Sequence, residues 1–263
     1  LDTALPEPLV EQHVIQNCAI SSLDSALSAM LLREVDNPEL ESLIWKFPDL
    51  FTEGVGIYTG DSHRIRFKPD AIPTWSRMRE VPQAFSQLAA DEIKSMLKDG
   101  LCEWIKASDW VSPVHYVKKE GKCVRVTVDF STGLNHAIIP VLHPLPKPAD
   151  IYQRARHSTH LSKLDLSKGY SHINLNKESQ PLTAFITPSH GLLQFTHLPK
   201  GMIDSVTIFC HAVEQTLQGL NGVDSYVDDI LVYGSTKEEH DLNLLAVCST
   251  LKKAGFRLNK KKV

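Results

Sequence analysis

The sequence predicts a mixed fold of helices and strands, on three observations. Apolar residues recur at spacings of three and four between Gln87 and Leu101, with Ala89, Ile93, Met96, Leu97 and Leu101 on one face. Short runs rich in β-branched and aromatic residues lie at Val111–Lys119, Cys123–Phe130, Leu161–Leu166 and Val223–Tyr233. Helical and strand-like segments alternate along the chain, a pattern compatible with either an α/β or an α+β architecture.

The elements follow in order. Residues 1–60 are weakly patterned and punctuated by Pro6, Pro8 and Pro38, with one apolar helical stretch from about Ile20 to Leu32. The short aromatic run from Leu43 to Phe51 is expected to dock on the body of the protein. The helix beginning at Gln87 is expected to stop at Gly100. Val111–Lys119 and Cys123–Phe130 read as two strands joined by the basic turn Lys119-Glu120-Gly121-Lys122. Four prolines between Pro140 and Pro148 predict an extended connector. Leu161–Leu166 is a short strand. Thr183–Thr187 and Leu192–Leu198 form a strand pair around Pro188-Ser189-His190-Gly191. A helix is expected over Ile203–Leu220 and a tight hairpin over Val223–Tyr233. Ser235/Thr236 followed by Glu238/Glu239 is a capping box that opens a last helix, ending near Gly255.

Composition narrows the function classes. The 263 residues suffice for one large or two modest domains. No run approaches the roughly 18 apolar residues of a membrane helix, so no membrane partner is expected. The acidic start, with Asp2, Glu7 and Glu11, lacks the form of a secretory signal. Five cysteines without a C-x-x-C pair argue against a disulfide framework or a zinc site, and point to a reducing, cytoplasmic setting. Residues 1–60 hold ten acidic and two basic side chains, a balance of −8, so the remainder carries +5 of the chain's net −3. Such asymmetry fits an acidic arm beside a polyanion-binding body, and equally a solvated linker beside an ordinary surface.

The carboxylates carry the chemistry. Asp228-Asp229 lies between Tyr226-Val227 and Ile230-Leu231-Val232-Tyr233, in a run where Asp is disfavoured unless it turns the chain or binds something. Asp165 closes another apolar strand, Leu161–Leu166. If the two strands are neighbours, Asp165 and Asp228 come within reach of common cations. Oxygen-only ligands suit Mg²⁺, and a pair of such ions clamps the attacking and leaving oxygens of a phosphoryl displacement.

Several motifs in order resemble the reverse transcriptases of Gypsy-type long-terminal-repeat retrotransposons. They are Trp110-Val111-Ser112-Pro113 with Val117-Lys118-Lys119; Arg125 with Val128-Asp129-Phe130 and Leu134-Asn135; Ser162-Lys163-Leu164-Asp165-Leu166-Ser167-Lys168-Gly169-Tyr170; Thr183-Ala184-Phe185; Leu198-Pro199-x-Gly201; and Asp228-Asp229-Ile230-Leu231-Val232-Tyr233, followed by Glu239-His240. The resemblance spans about residues 45–263 and implies an α+β right-hand polymerase whose palm is an antiparallel sheet packed on helices. Beside the acidic arm that the charge balance suggests over 1–60, it implies fingers over 61–139 and 174–204, and palm over 140–173 and 205–263, with thumb, RNase H and integrase absent from this stretch of a Pol polyprotein. The implied setting is the cytoplasm or a retrotransposon particle.

The resemblance also implies roles. Asp165 and Asp228 would bind two Mg²⁺ ions, with Mn²⁺ as the alternative, and Asp229 would sit beside them. Main-chain amides from Leu166, Ser167, Lys168, Gly169 and Tyr170 would cradle a deoxynucleoside triphosphate. Tyr170 would exclude a ribose 2′-hydroxyl. Lys118, Lys119 and Arg125 would grip phosphates from the fingers. Tyr226, Val227, Lys261 and Lys262 would touch an RNA or DNA template with its primer.

Three departures stand out. Lys200 occupies a position where the family has an apolar or amide side chain near the nucleotide. Asp204-Ser205-Val206 replaces Asn-Ala-Pro at a helix start, with Asp204 expected as N-cap. Ser131 replaces an arginine, and Thr132-Gly133 adds a residue. They motivate an alternative, a retrotransposon relic that binds nucleic acid or protein without catalysis. An unrelated metal phosphoesterase would use the same acids but leaves Tyr170 and the fingers motifs unexplained.

Overall fold

The computed structural model describes residues 38–118 and 124–260. The chain divides into two units, residues 1–42 and 43–263. The stretch 43–60 therefore folds with the second unit: Leu50 and Phe51 are buried, and the Tyr58 amide donates to the His172 carbonyl. The charge asymmetry that suggested an arm over 1–60 does not mark a fold boundary. The expected docking of the 43–51 run holds for Leu50 and Phe51, whereas Trp45 stays exposed. The expected helix at Ile20–Leu32 and the basic turn at 119–122 lie outside the described residues.

The architecture is α+β. A three-stranded antiparallel sheet is built from β4 (His160–Asp165), β8 (Asp229–Gly234) and β7 (Val223–Tyr226), in the order β4-β8-β7. An antiparallel bridge from Leu166 to Leu258 extends it beyond β4. Leu164 faces Ile230 across the strands, and both are fully buried. Side chains alternate along a strand, so this face is covered by the helices α5 (Ser205–Leu217) and α6 (Lys237–Lys253), while the face carrying Asp165 and Asp229 is turned away from them. Phe209, Val213, Val247, Cys248 and Leu251 supply the helix side of the core.

A second sheet has the order β1-β6-β5, from β1 (Cys102–Trp104), β5 (Phe185–Thr187) and β6 (Gly191–Phe195). The strand pair expected around Pro188–Gly191 is present. β2 (Val114–Lys118) and β3 (Val124–Val128) form a separate antiparallel hairpin. Helix α1 spans Pro38–Lys46 and α2 spans Ser86–Lys98. The predicted stop at Gly100 is a Schellman-type end: Gly100 takes φ +71°, its amide donates to Leu97, and the Leu101 amide donates to Met96. After a single turn, α3 (Leu134–Ala137), the proline-rich connector is extended. Pro148 opens the unpredicted α4 (Pro148–Ala155), because proline suits the first helical position.

The capping box on α6 is formed. Thr236 accepts from the Glu239 amide, and the Glu239 carboxylate accepts from the Ser235 amide. Asp204 holds the expected N-cap position of α5, but its side chain makes no capping bond and instead accepts from the Val141 amide. Among the described residues no helix is long and apolar enough to cross a membrane.

Candidate active site

Antiparallel register sets the acids. Asp165 at the end of β4 lies directly opposite Asp229 at the start of β8, so their side chains leave the same face of the sheet. Asp228 sits one position back, in the turn between β7 and β8. The neighbour of Asp165 across the strands is therefore Asp229, and Asp228 approaches through the turn. Its carbonyl accepts from the Leu166 amide, which ties the turn to the residue after Asp165. The turn is strained: Val227 takes φ +53°, a region that β-branched residues rarely occupy. Strain of this kind costs on the order of 1–3 kcal/mol and gathers at functional sites.

Each carboxylate has a defined environment. Asp229 pairs with Lys163 at 2.8 Å, its diagonal neighbour on the same face. Asp165 accepts from the Asn259 side chain at 3.3 Å, and the Asn259 amide donates to the Asp165 carbonyl. Asp228 Oδ1 is shut off from solvent. It faces Gly169, where an added Cβ would come within 2.7 Å of it. The bare glycine leaves room around the carboxylate that any other residue would fill.

Among the described residues, no group of three or more His, Cys, Asp and Glu side chains converges as a ready metal cage. The donors still suit a hard divalent ion. They are carboxylate oxygens on an open sheet face, and Mg²⁺ takes only one or two carboxylates while retaining water and substrate phosphate. A site completed by its substrate needs no closed protein cage.

The segment after Asp165 turns sharply. Lys168 adopts a left-handed conformation, and Gly169–His172 forms a 3₁₀ turn. Of the five amides expected to cradle phosphate, two are already engaged: Leu166 donates to Asp228 and Ser167 to Arg257. The first amides of a helical turn lack partners within it, which leaves Lys168, Gly169 and Tyr170 for that role. His172 pins the turn from beneath. Its Nδ1 donates to the Gly169 carbonyl, and its Nε2 accepts from the Arg257 amide.

Three predicted cationic residues come together. Arg125, Lys168 and Lys200 line one cavity of about 610 Å³ between α2, β3 and the 195–200 segment, with Asp99 and Glu92 on its wall. Lys168 pairs with Asp99 at 2.6 Å. Lys118 does not join them: Val117 pairs with Arg125 and Lys118 with Val124, so Lys118 and Arg125 leave opposite faces of the hairpin. Lys119, Lys261 and Lys262 lie outside the described residues.

Tyr170 packs edge-on against Phe209, with ring centroids 5.2 Å apart, and Lys200 Nζ lies 5.4 Å from the Tyr170 ring centre. Burial pushes the Tyr170 hydroxyl well above its ordinary pKa, and the nearby Asp228 charge adds to this. Asn259 and His172 were not predicted. Their only sequence signal was proximity to motifs, since their partners lie far along the chain. Where the family has an arginine, Ser131 donates its hydroxyl to Asp129, and Arg79 brings a guanidinium within 3.5 Å of the same carboxylate.

An antiparallel sheet backed by two helices, with acids at a strand end and in a strained hairpin turn beside a basic cavity, is the arrangement of a polymerase palm. The chain belongs to the reverse transcriptase (RNA-dependent DNA polymerase) family, whose profile matches residues 117–263. The family generally uses divalent metal ions. The chain is 31% identical over 264 residues to the enzymatic polyprotein of Cestrum yellow leaf curling virus, covering 98% of this chain and 39% of that protein. It is 28% identical over 233 residues to the retrovirus-related Pol polyprotein from transposon opus of Drosophila melanogaster, covering 85% and 23% respectively. The fold matches a foamy viral protease-reverse transcriptase solved in complex with double-stranded DNA, with a TM-score of 0.77, 25% identity and coverage of 87% of this chain and 41% of that one. The chain thus spans well under half the length of these relatives.

Proposed function

We propose that the chain forms the fingers and palm of an RNA-directed DNA polymerase that adds deoxynucleotides to a primer 3′-hydroxyl. The observation that carries this reading is the cross-strand pair Asp165–Asp229 with Asp228 in the adjoining turn. Fingers are assigned to residues 61–139 and 174–204, and palm to 140–173 and 205–263. Asp165 and Asp228 would hold two Mg²⁺ ions, or Mn²⁺ in their place, with Asp229 beside them. Bound there, such ions supply Lewis-acid stabilisation of the attacking and leaving oxygens.

The chain's own residues do the positioning. Lys168, Gly169 and Tyr170 offer main-chain donors to the triphosphate. Arg125 gives a planar guanidinium suited to bidentate phosphate contact, and Lys200 adds a second charge on the same cavity. The Tyr170 ring restricts the sugar to the deoxy form. Tyr226 and Val227, at the turn, lie where a primer end would meet the acids. Lys163 balances the charge of Asp229 and Asn259 orients Asp165. The partners are an RNA or DNA template with primer and deoxynucleoside triphosphates, in keeping with the foamy viral relative solved on double-stranded DNA.

Primer extension on an RNA template tests this directly. Asp228→Asn should lower incorporation by more than the roughly 10- to 100-fold that outer-sphere changes at metal sites cost. Equal extension by the two proteins would overturn the assignment. Template binding without any incorporation is instead the outcome for a module that only binds.

A further inference from the structure

Lys200 stands in a fixed frame. The Pro199 carbonyl accepts from the Ser205 hydroxyl at 2.6 Å, and the Gly201 carbonyl accepts from the Asn135 side chain at 3.0 Å. Gly201 takes φ +95°, and an added Cβ there would meet the Val128 carbonyl at 3.0 Å. The backbone on both sides of Lys200 is therefore anchored, which limits where the side chain can reach. Its ammonium lies over the Tyr170 ring, and the ring meets Phe209 edge-on. Phe209 is fully buried and packs in turn against Phe256, so that side of Tyr170 is rigid.

A cation over an aromatic face is attracted by the ring's negative quadrupole. An apolar or amide side chain at position 200 could fill the space but not supply this attraction. The other cavity lysine, Lys168, is engaged by Asp99. Lys200 is thus the cavity cation that can hold the Tyr170 ring.

We propose that Lys200 is a specificity-determining positioning residue: it locks the Tyr170 ring against Phe209, and discrimination between deoxy- and ribonucleoside triphosphates depends on its charge. The inference rests on the polymerase reading and on the role of Tyr170 within it. A ring held by Phe209 alone can tilt away and admit a 2′-hydroxyl, so the ribonucleotide gains more than the deoxynucleotide loses.

Single-nucleotide incorporation of dATP and ATP, measured separately on one template–primer, tests the inference. Lys200→Met keeps an unbranched chain one atom shorter and removes the charge. It should lower the ratio of kcat/KM for dATP over ATP by about two- to fivefold, chiefly through a lower KM for ATP. Lys200→Arg keeps a cation over the ring and should restore the ratio. A purely structural role would lower both nucleotides equally. A ratio unchanged in Lys200→Met overturns the inference while leaving the polymerase reading intact. Should that variant lose all incorporation, the equally long but polar, uncharged Lys200→Gln is read in its place by the same criterion. No incorporation of dATP by the unaltered chain overturns the polymerase reading and the inference with it.

Discussion

His172 couples a buried imidazole to the geometry of the acids. It is fully buried between the Gly169 carbonyl and the Arg257 amide. Burial pushes its pKa down to about 4, against a weaker upward pull from the Gly169 hydrogen bond. The unfolded chain therefore takes up a proton near pH 6.5 that the folded chain refuses until about pH 4. Stability from this residue is full above pH 6.5 and is lost as pH falls towards 4, by on the order of 3 kcal/mol. His63 and His197 are shifted downward by burial as well, and act in the same direction. Urea midpoints at pH 7.5 and pH 5 should show a clear loss at the lower pH, and His172→Gln should shrink that difference. Gly169 is a second sensitive position. A methyl group there meets Asp228 and Phe209, so Gly169→Ala should cost about 1–3 kcal/mol in thermal denaturation and reduce incorporation. The juxtaposition of Asp165 with the Asp228-Asp229 pair was legible in the sequence because acids within or beside apolar strands are conspicuous. His172 and Asn259 were not, because their meaning depends on partners 85 and 94 positions away.

Local elements were read well wherever the signal is local. The start of α6 is written in Thr236 and Glu239, and its end in Gly255, which takes φ +80° while the Phe256 amide donates to Leu251. Thr236→Ala should destabilise the protein by about 1 kcal/mol, measured by denaturant titration. Elements were missed where tertiary contact overrides local pattern. β1 has three residues and exists because Cys102, Glu103 and Trp104 pair with Phe195, Gln194 and Leu193. Asp204 has the chemistry of an N-cap, yet the connector backbone at Val141 takes its carboxylate. At this scale, propensity describes what a segment can do, and its neighbours decide which option is used.

Across the whole molecule, the sequence conveyed the fold class and the family but not the sheet orders. β8 lies between β4 and β7, and β6 between β1 and β5, in pairings that no local spacing encodes. The +5 balance beyond residue 60 belongs to this scale too. If basic side chains beyond residue 60 meet template–primer phosphate, affinity should fall linearly on a log–log plot as salt rises, because condensed counterions are released. Arg125→Ala, whose partner is the incoming triphosphate, should leave that slope unchanged while raising the KM for the deoxynucleotide. Filter binding across a salt series provides the check.

The Leu166–Leu258 bridge, with the Leu258 amide donating to Leu50, carries a consequence for synthesis on the ribosome. The outer partner of the strand segment following Asp165 emerges some 90 residues after it. Until then that edge presents unpaired N–H and C=O groups to any other nascent chain. Pairing at such separation is also slow, because loop closure precedes the reward. The acid-bearing rim is thus the last part of the sheet to be sealed.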